Sequence, residues 1–141
     1  MPTRPLRRAV LLVAVLVLLA GSGISSATPD HIRHYKAGLN ALDQQAWRQA
    51  ESSMLLAIGH RSKEKRRPAW RPRTGYFPHF YLGLARYQGG DCQGAIDAWN
   101  ESEAQASIVG RPLYDHLRRW RDDCRQNGRP SQVVDLETLG L

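Results

Sequence analysis

The sequence predicts an all-α protein: two helical hairpins and a terminal capping helix, placed after an N-terminal export segment. Three observations carry this. Gly38 is followed 12 residues later by Ala50 and four further on by Met54, and Gly83 is followed at the same intervals by Ala95 and Trp99. Around both glycines, apolar residues recur at the three- and four-residue intervals of one helix face. A third pattern of that kind lies downstream and centres on Leu117.

The chain has 141 residues, room for one domain, and its first 27 stand apart in composition. Arg4, Arg7 and Arg8 open it, an uncharged apolar run of 12 residues covers positions 9–20, and small residues follow, with Ser25 and Ala27 in a small-x-small arrangement. A basic start, a short apolar middle and a small-residue exit form a signal peptide over residues 1–27, cleaved after Ala27. The run is short of the roughly 20 residues a spanning helix needs, so a membrane anchor would have to recruit residues 21–27 as well. Cleavage is the preferred reading.

In the first hairpin, Ile32, Tyr35, Leu39 and Leu42 form one stripe, and after Asp43-Gln44-Gln45 a second stripe runs Trp47, Ala50, Met54, Ala57 and Ile58. In the second, Phe77, Phe80, Leu84 and Tyr87 precede a Gly-Gly-Asp turn. Asp91 is placed to cap the next helix, where Ala95, Ile96 and Trp99 face inward. A glycine inside a helix costs about 1 kcal/mol against alanine, so Gly38 and Gly83 mark places where a partner helix leaves no space for a side chain. In the capping helix Pro112 suits the first helical position, and Leu113, Leu117, Trp120 and Cys124 share a face. Residues 28–128 make up the helical domain, and residues 129–141, without a capped helix, are expected to be a flexible tail.

Three of the 20 basic residues and none of the 13 acidic ones lie in residues 1–27, leaving +4 on the remainder. Seven basic residues sit within an insertion spanning 59–76: Arg61, Lys63, Lys65, Arg66, Arg67, Arg71 and Arg73, with Glu64 as their single acid. Pro68 and Pro72 break helix there, and Trp70 adds an aromatic. Cations with an aromatic can meet anionic lipid, polysaccharide or an acidic protein face, and export makes nucleic acid an unlikely partner. The bland alternative is an exposed linker.

Cys92 opens one helix, Cys124 closes the next, and their midpoint, residue 108, falls in the turn between. An antiparallel hairpin brings the two together at its open end, and an even count downstream of an export signal favours a disulfide. Two buried free thiols are the alternative, since Cys124 also lies on the apolar stripe.

The repeated unit resembles the tetratricopeptide repeat (TPR), a helix–turn–helix unit of about 34 residues. Leu82-Gly83 and Ala37-Gly38 stand for its Leu-Gly, and Ala95 to Trp99 and Ala50 to Met54 for its A-x3-F. The sequence departs from the pattern where His34 and His79 replace an early tryptophan, where Tyr87 comes one place late, and where the closing proline is missing. The resemblance implies right-handed stacking of the hairpins into a curved slab that binds a partner on the concave side, lined by each unit's first helix. On that arrangement Arg33, Lys36, Asn40, His79, Tyr81 and Arg86 are the partner contacts, and a second copy of the chain could pair with the exposed end of the first unit.

Candidate chemistry is sparse. His31 and His34 lie three apart, as two metal ligands on a helix can, but no third ligand has a convincing spacing, so no metal is expected. No strand–turn–helix nucleophile, phosphate loop or Cys-x-x-Cys occurs. The expected function is therefore non-catalytic and cofactor-free: a periplasmic or secreted adaptor for a peptide or partner helix. The alternative is an envelope-surface protein holding anionic lipid or polysaccharide through residues 61–73.

Overall fold

The computed structural model of the protein describes residues 27–66, 75–131, 133–134 and 136–139. The expected signal segment up to residue 26 lies outside them, as do Arg67, Trp70, Arg71 and Arg73 of the insertion. The described residues form five α-helices: α1 Asp30–Asp43, α2 Trp47–His60, α3 Pro78–Gln88, α4 Cys92–Ala104 and α5 Pro112–Asn127. A 3-10 turn, Leu136–Leu139, follows. Among the described residues, extended pairing is limited to one antiparallel bridge between Lys65 and Tyr76, and no helix is long and apolar enough to cross a membrane.

The helix ends follow local chemistry. The Asp91 carboxylate accepts the Gly94 N–H at 2.9 Å, capping α4. Proline occupies the first turn of α3 and of α5, where a missing N–H loses nothing. Gly128, at φ 65°, closes α5 in the left-handed region, and its N–H donates to the Cys124 carbonyl.

α1 packs on α2, and α3 on α4. In both pairs a glycine of the first helix admits a large side chain from the second. A Cβ on Gly38 would come within 2.6 Å of Met54 Cε, and one on Gly83 within 2.2 Å of Trp99 Nε1. The indole cannot retreat, because it is fully buried and its N–H donates to the Phe80 carbonyl at 3.1 Å.

α3 is the centre of the fold. It touches α1, α2, α4 and α5, and every residue from Pro78 to Ala85 is buried. Its sequence, PHFYLGLARYQ, is apolar on nearly all sides, as an interior helix must be. α5 covers the second pair: Leu117 and Cys124 are buried, and the Trp120 ring lies 6.0–6.1 Å from Phe80, Tyr87 and Trp99. Cys92 and Cys124 are disulfide-bonded, with Cα atoms 5.4 Å apart, and Ile108 plugs the intervening turn without exposure to solvent.

One boundary differs from the expectation. α2 continues through His60, so the insertion begins at Arg61 rather than at residue 59. The added turn is held by Tyr76, whose hydroxyl faces the carbonyl oxygens of Ala57 (3.0 Å) and Arg61 (2.7 Å). The described part of the tail packs on the domain: Leu136 is buried against the core and the Val134 N–H donates to Gln88 Oε1. Val134 and Leu139 pack against the core as well, whereas Val133 is exposed.

Gly83→Ala is expected to destabilise the protein by about 1–3 kcal/mol, because the added methyl meets a fixed indole. Gly38→Ala should be near neutral, since a flexible methionine end can move and alanine favours helix by about 1 kcal/mol. Urea unfolding of both variants checks the contrast, and equal losses would contradict it. Replacing Cys92 and Cys124 together by alanine is expected to lower stability by about 3–4 kcal/mol through loop entropy, measurable in the same experiment.

Candidate functional site

Two arrangements bring polar side chains together: a buried network at the start of α3 and an open cleft beside α1. Residues of the basic insertion contribute to both.

The network centres on Glu64, which is 4 % exposed. Its carboxylate accepts the backbone N–H groups of His79 (3.1 Å) and Phe80 (3.4 Å) and the Ser102 hydroxyl (2.8 Å). The first turn of any helix leaves N–H groups without helical partners, and here an acid from the preceding insertion supplies the acceptor. The Glu64 N–H donates to Gln105 Oε1 and its carbonyl accepts from Ser107 Oγ. Arg66 donates to the carbonyls of Ser107 and Val109. Residues 62–66 are thereby strapped across α3, α4 and the turn that follows α4.

Burial pushes the Glu64 carboxyl up to about 7, against the pull of its three hydrogen bonds. His79, whose Nε2–H donates to the Ser62 carbonyl at 3.1 Å, is pushed below its ordinary value by burial. Glu64, His79 and Ser102 thus lie together without forming a nucleophile: the Ser102 hydroxyl donates to the carboxylate, not to the imidazole, and is sealed from solvent. The contacts they make hold residues 62–64 to α3 and α4.

The cleft has a volume of about 540 Å³. Its apolar floor is Ile32, Leu39 and the ring of Tyr35, and Tyr76 and His31 form a wall, edge to face at 5.3 Å. Lys36, Arg61 and Lys65 stand around it. Burial raises both phenols, Tyr76 to about 12 even though the Arg61 charge opposes the shift, so they remain protonated donors. Both are engaged in holding the strap: the Tyr35 hydroxyl donates to the Gly75 carbonyl and accepts from the Phe77 N–H.

The residues expected to bind a partner divide into two groups. Arg33, Lys36 and Asn40 share the exposed face of α1, with Arg33 paired to Asp30 at 2.7 Å. His79 and Tyr81 do not face a groove. They are 8 % and 3 % exposed, because α3 is enclosed by the strap and the neighbouring helices instead of lining an open surface. Arg86 is a brace: it pairs with Glu51 at 2.8 Å and donates to the Gly94 carbonyl. Of the insertion, Arg61, Lys63 and Lys65 are exposed, and Arg66 is spent on the strap. Sequence reasoning missed Glu64 as a cap and Tyr76 as a clamp. The one available signal was a lone acid among seven basic residues. Among the described residues, no group of three potential ligands could hold a metal ion.

No protein-family model, curated protein or solved structure matches the chain.

Glu64 also predicts a pH dependence. Its carboxyl has an ordinary value of 4.5 and is raised to about 7 in the folded protein. Its contribution to stability is therefore complete below pH about 4.5 and lost as pH rises through about 7, by roughly 3 kcal/mol. His79, shifted down, acts oppositely, losing stability as pH falls, so the comparison must be with a variant that keeps it. Glu64→Gln retains an acceptor for both N–H groups and carries no charge. It is expected to be at least as stable as wild type near pH 8 and to lose roughly 3 kcal/mol of that advantage by about pH 4.5. Parallel denaturation curves at the two pH values would show that this carboxyl is not the buried titrating group.

Proposed function

We propose that the protein is an exported, non-catalytic adaptor built on TPR-like hairpins, which holds a peptide or a partner's helix against its first hairpin. The observation that carries this reading is the cleft itself. Lys36, chosen from the repeat arrangement, and Arg61 and Lys65, chosen from the basic insertion, line one cavity with an apolar floor. A concave, largely apolar site with a few oriented polar groups is where a ligand is held.

The two glycine contacts, alike in spacing and geometry, support descent of both hairpins from one repeated unit. The disulfide fits an oxidising compartment, in keeping with an export segment over residues 1–27. A surface-charge reading has one observation in its favour: Lys63 is exposed outside the cleft with Arg61 and Lys65 near it in sequence, a cluster that can meet anionic lipid or polysaccharide.

The test is affinity capture from an envelope fraction with the wild-type chain and with an Arg33→Glu, Lys36→Glu, Asn40→Glu variant. These positions are exposed, so the fold is expected to survive, as circular dichroism would check. A protein retained at physiological salt by wild type and depleted at least tenfold with the variant is the expected result. Recovery of lipid or polysaccharide alone, removed by moderate salt, would assign function to the basic cluster instead.

A further inference from the structure

We infer that the cleft between α1 and the strap selects an acidic segment of its partner, one that places apolar side chains between carboxylates. This rests on the adaptor reading and specifies what the adaptor recognises. Among the described residues, the cleft owes Tyr76, Gly75 and two of its three cations, Arg61 and Lys65, to the stretch that interrupts the repeat, so the site belongs to this chain and not to a hairpin array in general.

The charge is uncompensated for a structural reason. Lys36, Arg61 and Lys65 enter no ion pair among the described residues. The acids placed to neutralise them are occupied. Glu64, between Lys63 and Lys65 in sequence, is turned inward onto the first turn of α3. Asp30, at the same end of α1, is held by Arg33. Three cations of one sign around a cavity of about 540 Å³ set up a local field that only an anion answers, while Ile32 and Leu39 beneath them offer apolar contact. A partner with both features meets both halves of the site.

Among the described residues, the same geometry favours an entering segment over a bilayer surface. Membrane contact through cations is strengthened by apolar side chains that protrude beside them. The large exposed apolar residues among those described are Leu55, Leu56, Val109 and Val133. None of them lines the cleft: Leu55 and Leu56 border a separate hollow on α2 with Arg48 and Glu51. Ile32 and Leu39, which do line it, are half-buried and do not rank among the large exposed apolar side chains.

The experiment uses the full-length, disulfide-bonded chain and labelled pentapeptides that alternate Asp or Glu with Leu, Ile, Val or Phe. Neutral twins carry Asn and Gln instead, and binding is read by fluorescence anisotropy. The expected result is at least tenfold tighter binding of acidic peptides than of their twins at about 100 mM salt, weakening as salt rises. The Lys36→Gln, Arg61→Gln, Lys65→Gln variant should lose that preference. A control that removes equal charge from α5, Arg118→Gln, Arg119→Gln, Arg125→Gln, should keep it. Equal affinity for acidic and neutral peptides overturns the inference and leaves the adaptor reading standing. Loss of binding with the α5 control, or its persistence with the cleft variant, overturns the location. If no peptide binds and the chain instead sediments with phosphatidylglycerol vesicles, both the inference and the adaptor reading fall.

Discussion

A carboxylate buried at the head of the central helix organises this molecule. Glu64 reaches the first turn of α3 from the preceding insertion, takes up two of its N–H groups, and is itself held by Ser102 of α4. Placing a carboxyl in the interior is costly unless it is well hydrogen-bonded, and its raised titration point expresses what remains of that cost. In return the segment 62–66 acquires one position relative to α3, α4 and the turn that follows α4. The strap closes over α3, Tyr76 pins the end of α2, and Tyr35 reaches across from α1 to Gly75 and Phe77. These bonds join the two hairpins through the insertion that separates them in sequence.

Around that anchor the core is aromatic and tightly fitted. Trp99 lies on Gly83 with its N–H bonded to α3, and Trp120 of α5 closes over Tyr87 and Phe80 from the other side. A core of this size leaves a small domain marginal, and the disulfide offsets the shortage by restraining the open end of the α4–α5 hairpin. Polar contacts tie the remaining ends. Asp123, which accepts from the Tyr87 hydroxyl and the Ser131 N–H, is held down near 2 and links α3, α5 and the start of the tail. Arg121 and Tyr114 converge on Glu103, fastening α5 to α4.

The inward turn of Glu64 has a second consequence on the opposite side of the strap. With its acid withdrawn into the core, the basic segment presents Arg61 and Lys65 to solvent without a counter-charge, next to Lys36 and the half-buried floor of α1. Glu64 and Arg66 hold the strap, and the side chains between and before them face outward.

Much of the fold was legible in the chain. The spacing of Gly38 and Gly83 from Met54 and Trp99 located both helix pairs, Asp91 and Pro112 marked helix starts, and the placement of the cysteines about residue 108 located their bond. These features are local or recur with a helical period, so one stretch of sequence contains what determines them. The cation set was legible as well, because charge is visible residue by residue. What the sequence did not disclose is which side chains share a surface. His79 and Tyr81 are groove residues in the arrangement that the repeat resemblance implies, yet they are interior because the strap and the neighbouring helices enclose this part of α3. The insertion reads as an exposed linker until Glu64 is seen capping a helix that begins only at Pro78. Helix and pairing are written in short-range periodicity, whereas the cap, the strap and the cleft each depend on groups distant in sequence meeting in space, which only the packed tertiary structure decides.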